Sequence, residues 1–523
     1  MLSKHSEFKI KLIIPPWFED YRDFFAIPMP FFPYGIAVLT AFLRKSNFWV
    51  EQDDLAIKFN HFRYDCYFLT KRKLSLDLYK YKNDIYRYAS SLSSDNGKLD
   101  ALIQKVLDST DINDFNLVGF SISAFRQFIF AILLSKKIKE RTNIPIVFGG
   151  FFVTLYGHLY PEAFKFVDYM VIGDGQVPLL KLINHLKQGT SISAVPNLIY
   201  SHNGKLMANP TEYFPIEDML APDFDGLSIS AYKSTRFEKN VTLPYQITRG
   251  CISRCSFCVD RNKYEKIEFK SYNKVISELR EMKQRYSCNK FILCDLTINN
   301  SIEYLDGLLG SFIKSRLNII WEAYAKIDSR IDKLLLKKIK EAGCFALHFG
   351  IESGSDRMLK MMNKGFTSEE ASKIIRDAHE FKINIHLGFM AGYPHETQQD
   401  INRTIEFIRK NRKYIYFSRV TEFVLMHGSP IYNNPDSYKI TNLLPSCYMR
   451  HMLSFDELNG LAWSQIKRRN THYRRRVLKA IYKFVLLKPR SVFLYLYIIP
   501  YFLYFLYVLV KPVHENNDIK SIL

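Results

Sequence analysis

The sequence predicts an α/β fold: a doubly wound parallel sheet, then a second series of alternating strands and helices, then a C-terminal helical extension. Two observations lead there. Short apolar runs alternate with helix-like stretches in the first third and again in the middle of the chain, the pattern of parallel sheets with crossover helices. The end of the chain departs from it, turning strongly basic and then wholly apolar. At 523 residues the chain exceeds one ordinary core, so two or three domains are expected, and 47% hydrophobic with 24% charged residues is a globular composition.

FKIKLIIPP (8–16) is an apolar run ending in prolines and reads as a buried strand. PYGIAVLTAFLRKSNFWVEQDDL (33–55) opens with Pro33 and Gly35, keeps helical spacing through Ile36, Leu39 and Leu43, and becomes a second strand ending near Asp54. Residues 56–112, rich in Tyr, Lys and Ser, read as a helical insertion. NLVGFSISA (116–124), IPIVFGG (144–150) and VDYMVIGDG (167–175) are a third, fourth and fifth strand. Glycines at strand ends mark sharp turns or close approach to a ligand. The ligand crevice of such sheets lies at the carboxyl ends of the strands. Residues 1–200 are expected as one domain and 201–238 as a connector.

VTLPYQITRG (241–250) is a strand that delivers Cys251, Cys255 and Cys258 on a loop, at spacing C-x3-C-x2-C. The other cysteines of the 8 (Cys66, Cys288, Cys294, Cys344 and Cys447) are scattered singly and suggest no auxiliary cluster. Structural zinc usually takes four protein ligands, with paired C-x2-C knuckles. Three thiolates instead suit a [4Fe–4S] cluster with one iron left open for a substrate. The opening MLSKHSEFKIKLIIPP reads straight into a strand without a leader, which fits a metal-binding role for clustered cysteines in a reducing cytosol. KFILCDLT (290–297), IIWEAYAKID (319–328), CFALHFGIESG (344–354), INIHLGFMAGYP (383–394) and SRVTEFVLMHGSP (418–430) are further strand-like runs, separated by amphipathic helices such as NKVISELREMKQRY (273–286). Residues 239–435 are expected as the second domain.

The net charge is +21, from 73 basic and 52 acidic residues. Nucleic acid is the first partner such a balance suggests. The excess is concentrated, however: ten Lys and Arg residues and no acid lie between Lys467 and Arg490. Residues 491–510, SVFLYLYIIPYFLYFLYVLV, follow at once and carry no charge. A basic run beside an apolar one points to a membrane surface rather than to nucleic acid. Twenty apolar residues could span a bilayer, but Pro500 and five tyrosines argue against a simple spanning helix. A terminal helical hairpin packed on the body of the protein is the other reading of the extension, 436–523. The location expected is cytoplasmic, with attachment to the inner face of the membrane through the C-terminus.

The cysteine loop, with the aromatic Phe257 just before its last cysteine, resembles the signature of radical SAM enzymes. The resemblance implies a partial (β/α)6 barrel and cleavage of S-adenosylmethionine at the open iron to a 5′-deoxyadenosyl radical. Glu352, in GIESG, fits the strand-four position where a carboxylate binds the ribose hydroxyls; an acid at a strand end can also simply cap the next helix. Lys326 would face the methionine carboxylate, where relatives often have arginine. Gly392, Tyr393 and Pro394 resemble the G-x-P turn beside adenine, which Phe257 would also flank. Asp295 stands where relatives often carry acids and has no assigned role, and His348 reads as a core or lining histidine.

Ser121 after the third strand, Gly149 and Gly150 after the fourth, and Gly173 and Gly175 after the fifth resemble the Rossmann-like cobalamin-binding domain of B12-dependent radical SAM enzymes. The D-x-H-x-x-G of other B12 proteins is missing, and PWFEDYRDFF follows the first strand instead, so the cobalamin implied is bound without a protein histidine. Gln176 stands where many relatives have glutamate, and APDFDGL (221–227) resembles the segment that precedes the barrel. A domain that keeps the sheet and has lost the ligand is the alternative. By resemblance the activity is methylation of an unactivated carbon. The rival readings are a non-methylating oxidoreductase or cyclase of the same build, and a membrane-attached iron–sulfur electron carrier. Partners implied are a small-molecule, lipid or peptide substrate and an electron donor such as flavodoxin or ferredoxin.

Overall fold

A computed structural model of the chain describes residues 8–16, 33–60, 97–232, 241–260, 264 and 266–486. Most of PWFEDYRDFF, the middle of the helical insertion (61–96), Cys66 and the apolar segment 491–510 lie outside the described residues. The chain divides into two compact units, residues 1–245 with 277–288, and residues 246–276 with 289–523.

The first unit carries β1 (Lys9–Ile14), β2 (Trp49–Asp54), β3 (Leu117–Ser121), β4 (Ile146–Gly149), β5 (Tyr169–Val171), β6 (Leu198–His202) and β7 (Lys205–Ala208) in one sheet, ordered β2-β1-β3-β4-β5-β6-β7. The first five strands are parallel, and β6 and β7 join antiparallel at one edge. The order reverses direction between β1 and β3, the switch point where doubly wound sheets hold ligands. β1 is buried on both faces, its Lys11 being paired with Glu51 and lying 5.2 Å from the centre of the Phe115 ring. Helix Phe125–Lys139 is apolar nearly all round and is accordingly buried over most of its length.

β7 falls within the stretch read from sequence as a connector. The reason it forms a strand is local: Asn203 (φ 51°) and Gly204 (φ 74°) make a two-residue turn, the pairing that best closes a hairpin. The rest of the connector is clasped to the same unit. Asp223 accepts from Arg44 at 3.0 Å and from Arg285 at 3.0 Å, and the Gln52 side-chain amide donates to the carbonyls of Asp223 (2.8 Å) and Asp225 (2.9 Å).

The second sheet contains β8 (Thr242–Tyr245), β11 (Lys290–Leu293), β12 (Ile320–Ala325), β13 (Cys344–Glu352), β14 (Asn384–Ala391) and β15 (Ile415–Glu422), in the order β15-β14-β13-β12-β11-β8. Strands β11 to β15 are parallel, each followed by a helix or turn that returns the chain to the same end. A short hairpin of β9 (Thr248–Arg249) and β10 (Glu268–Phe269) brackets the cysteine loop. The helices start where capping chemistry dictates: Thr367 with Glu370 and Thr397 with Asp400 form reciprocal capping boxes. β14 alternates strictly between buried and half-buried residues, so one face packs under helices while the other lines the inside of the barrel. Beyond it, β16 (Leu425–Met426), β17 (Ile440–Pro445) and β18 (Met452–Glu457) make a small antiparallel sheet. The extension therefore begins with strands. Its basic run is helical from Trp463 to Ile481, with Ile466, Asn470, Tyr473 and Val477 buried.

Gly150 tests the first unit. Its φ is 98°, and a Cβ there would lie 2.7 Å from both the nitrogen and the oxygen of Ile122. Gly150→Ala is expected to cost about 1–3 kcal/mol, read as a lower urea midpoint with the slope unchanged.

Candidate functional site

The cysteine loop is short and held from several sides. The Ser256 N–H donates to the Met362 carbonyl (3.1 Å), and its hydroxyl lies 2.7 Å from that of Tyr393. The Ile431 N–H donates to the Ser256 carbonyl (2.9 Å), and the Asn363 amide donates to the Arg254 carbonyl (2.8 Å). Asn300 accepts from the Ile252 N–H at 3.0 Å and donates to the Gly250 carbonyl at 3.1 Å. Cys251, Cys255 and Cys258 are free and half-buried. Burial raises the Cys255 thiol against the opposing pull of Lys364, and it pushes the Cys258 thiol up to about 12. Bound metal would ionise these thiols. Among the described residues no three Cys, His, Asp or Glu side chains converge on a single ion. Three soft thiolate donors on one loop suit an iron–sulfur group.

Glu352 lies at the end of β13 and has φ 67°, a left-handed backbone that is uncommon for glutamate. Its carboxylate sits 3.6 Å from Lys364 Nζ, and Gly350 leaves room for it: a Cβ there would meet Glu352 Oε1 at 2.5 Å. Lys364 Nζ also lies 5.7 Å from the centre of the Phe257 ring. Lys326 joins from β12, fixed by reciprocal bonds to Asn299 at 2.9 and 3.0 Å, and it contributes with Lys364 to the positive field at Cys255. Cys255, Phe257, Lys326 and Glu352 lie in one neighbourhood, and Lys364 joins them. Lys364 sits in a polar loop, and nothing local in the sequence singles it out.

Gly392 (φ 92°) is shaped by the C-terminal helix: a Cβ there would lie 2.3 Å from the Asn470 side chain. Its N–H donates to Glu396 at 2.5 Å. Burial pushes the Glu396 carboxyl up to about 8. Pro394 is buried, and the next residue, His395, donates its N–H to Glu457 (2.8 Å), which also takes Arg469 at 2.8 and 3.1 Å. Asp295 is fully buried, accepts from the N–H groups of Ile247 (3.0 Å) and Thr248, and is pushed by burial up to about 6. Its place is to hold the strand that enters the cysteine loop.

In the first unit Ser121, Gly149, Gly173 and Gly175 lie at the carboxyl edge of the sheet. Ser121 and Gly149 are half-buried, and a Cβ on Gly149 would make only ordinary contact with Val171, at 3.8 Å. The Gly173 N–H donates to Thr154 (3.0 Å). Gly150 is required by its contact with Ile122, and a Cβ on Gly175 would press Leu39 at 3.0 Å. Both glycines therefore have a packing reason independent of any ligand.

Residues 245–408 match the family profile described as the Radical SAM superfamily. An uncharacterized methyltransferase of Pyrococcus horikoshii is 27% identical over 294 residues, 55% of this chain and 63% of that protein. An anaerobic magnesium-protoporphyrin IX monomethyl ester cyclase of Rubrivivax gelatinosus is 28% identical over 281 residues, 51% and 49% of the two chains. The chain thus spans between 49% and 63% of the length of these relatives. The solved structure of the cobalamin-dependent S-adenosylmethionine radical enzyme OxsB with aqua-cobalamin bound superposes with a TM-score of 0.66 at 16% identity, over 94% of this chain and 70% of that one. TsrM of Kitasatospora setae, with cobalamin and a [4Fe–4S] cluster bound, gives a TM-score of 0.60 at 18% identity, over 81% and 77%. The fold expected from the sequence is therefore the fold these proteins have.

Glu396 gives the site a pH signature. Its carboxyl titrates near 4.5 when free and near 8 when folded. Between those values the folded state holds a proton that the unfolded state has lost, so stability falls as pH rises and levels off above 8. Glu396→Gln is expected to remove up to about 1.4 kcal/mol per pH unit of that slope, measured by urea unfolding from pH 5.5 to 8.5. Parallel wild-type and variant profiles would contradict it.

Proposed function

We propose that this chain, whose residues 245–408 are a radical SAM domain, is a cobalamin-dependent radical SAM enzyme that methylates an unactivated carbon. One observation carries the reading: the three-cysteine loop lies beside Glu352, Lys364 and Lys326, a carboxylate and two ammonium groups on one side of an iron–sulfur donor set. When bound, the cluster with S-adenosylmethionine supplies an organic radical, and cobalamin supplies the methyl group.

The chain's own residues bind and orient. Cys251, Cys255 and Cys258 would hold the cluster. Lys364 and Lys326 offer the cations a carboxylate needs. The backbone strain at Glu352 places its acceptor toward them instead of along the strand, which suits hydroxyl recognition. Phe257 and the Gly392–Pro394 turn provide apolar and backbone surface for a flat base. In the first unit Ser121, Gly149 and Gly173, with Gly150 and Gly175 shaping the edge, would hold cobalamin without a histidine. An electron donor such as flavodoxin or ferredoxin is the partner this chemistry needs.

The methyltransferase name of one relative supports methylation over the rival cyclisation, while the cyclase keeps the rival alive. The test is anaerobic reconstitution of the cluster with cobalamin, S-adenosylmethionine and a reductant. 5′-Deoxyadenosine and a bound-cobalamin spectrum are expected; a protein with its cluster fully assembled that gives no 5′-deoxyadenosine and binds no cobalamin overturns the reading. Cys255→Ala should lose the iron–sulfur absorbance and the 5′-deoxyadenosine together. Lys364→Met should keep the cluster and raise the KM for S-adenosylmethionine about ten-fold or more, the size of a lost bond to a charged group.

We also propose that the chain attaches to the inner face of a membrane. Arg468, Arg475 and Lys479 are exposed along the last described helix, and the sequence runs on into the uncharged stretch 491–510. No helix among the described residues is long and apolar enough to cross a membrane. A chain ending at residue 486 is expected to lose co-sedimentation with phosphatidylserine vesicles that the full chain retains. A shortened chain that still sediments contradicts the attachment.

A further inference from the structure

The inner face of the barrel holds a second polar cluster that the cofactor site does not use. Side chains alternate along a strand, so Glu322 and Tyr324 of β12, His348 of β13 and His386 of β14 share the face of Glu352. They touch one another. His348 Nε2 lies 3.0 Å from Glu322 Oε2, and the His348 ring is 4.4 Å from that of His386 and 5.0 Å from that of Tyr324. Tyr416 stacks on His386 at 5.5 Å with planes 5° apart, and Phe417 lies 5.7 Å from it. Tyr324, Tyr416 and Phe417 keep 38%, 50% and 38% of their surface exposed, although all three are large rings.

Between this layer and Glu352 stand Gly350 and Gly388, directly opposite each other in the β13–β14 register. A Cβ on Gly388 would meet nothing nearer than 3.9 Å. The space over Gly350 is taken by the Glu352 carboxylate and Gly388 faces only the backbone of Gly350 and Phe349, so no β14 side chain stands between the histidine layer and the cofactor residues. Within the layer, His386 Nε2 is buried and has no hydrogen-bond partner in the protein. Buried polar atoms are seldom left so. Burial, with His348 and Arg419 adding to it, holds that ring down to about 3, so it is a neutral imidazole.

We propose that Glu322, His348 and His386, with the rings of Tyr324, Tyr416 and Phe417, form the substrate pocket, and that the pocket selects a flat unsaturated ring bearing a hydrogen-bonding heteroatom. The proposal rests on the radical-enzyme reading above and adds its substrate class. The exposed rings present π surface that favours stacking with another planar ring. The unpartnered His386 nitrogen calls for a polar atom from the ligand, and the His348–Glu322 pair, already bonded at 3.0 Å, adds a polar border beside it. A saturated lipid chain would meet neither demand.

The test uses the full chain with no S-adenosylmethionine and no reductant, so its outcome is separate from the 5′-deoxyadenosine assay. Calorimetric titration compares 2-naphthol with its saturated counterpart, decahydro-2-naphthol. The flat compound is expected to bind at least ten-fold more tightly. His386→Leu and Gly388→Leu should each weaken 2-naphthol at least ten-fold, the first by removing the polar atom and the second by setting a branched side chain between the rings and Glu352, while His386→Gln should restore part of the affinity. Gly388→Leu keeps the test open should His386→Leu fail to fold, which a thermal melt reports. Equal binding of the two compounds, 2-naphthol affinity unchanged by both leucine variants, or no binding of 2-naphthol at millimolar concentration would each overturn the proposal.

Discussion

Glu352 sits on a left-handed backbone because three neighbours leave it no other path. Its following residue closes a tight turn, Ser353 N–H to the Ile351 carbonyl at 2.9 Å. Thr404, on the helix Gln398–Asn411, takes the Gly354 N–H at 3.0 Å and lies 3.1 Å from the Ser353 hydroxyl. Asp400, one turn earlier on that helix, accepts from Ser355 at 2.6 Å and pairs with Arg357. A strained residue persists only when its surroundings over-determine it, and here a whole helix does so. The ammonium of Lys364, and with it the relation between carboxylate and cysteine loop, depends on that turn being held.

The polar groups of the barrel follow from the same economy of strand geometry. Outward residues such as Trp321, Ala323, Phe349 and Leu387 are buried beneath helices, which frees the opposite faces of β12, β13 and β14 for chemistry. That inner face carries Gly350 and Gly388 beside the opposed charges of Lys364 and Glu352. The buried carboxyls Asp295 and Glu396 serve a different purpose: Asp295 takes two backbone N–H groups at the entry to the cysteines, and Glu396 takes the N–H of the Gly392 turn.

What the sequence made legible was what is local. Three cysteines within eight residues announce an iron–sulfur loop by spacing alone, and the Gly–Ile–Glu–Ser–Gly run marks a turn at which a carboxylate is presented. The strand runs were readable because parallel strands are apolar throughout. Lys364 was not, since its partners Glu352 and Phe257 are brought to it by strand pairing and a helix between. Glu322 and His386 escaped for the same reason, lying 26 and 38 residues either side of His348, and only the register of β12, β13 and β14 unites them. Gly150 answers a second demand that a glycine at a strand end does not announce, a backbone contact with Ile122. The Asn203–Gly204 turn has the residue types of a hairpin but sits within a polar stretch that masks it.

The contact between Asn470 and Gly392 has a consequence for the life of the polypeptide. A chain still in synthesis near residue 450 already has its cysteines, its barrel strands and Glu352. It lacks the helix against which the Gly392 turn is moulded and from which Arg469 reaches Glu457. The Gly392 turn is thus completed late, by a helix made after the barrel strands, and synthesis that stops before Asn470 leaves a protein with its three cysteines and Glu352 present and that turn unsupported.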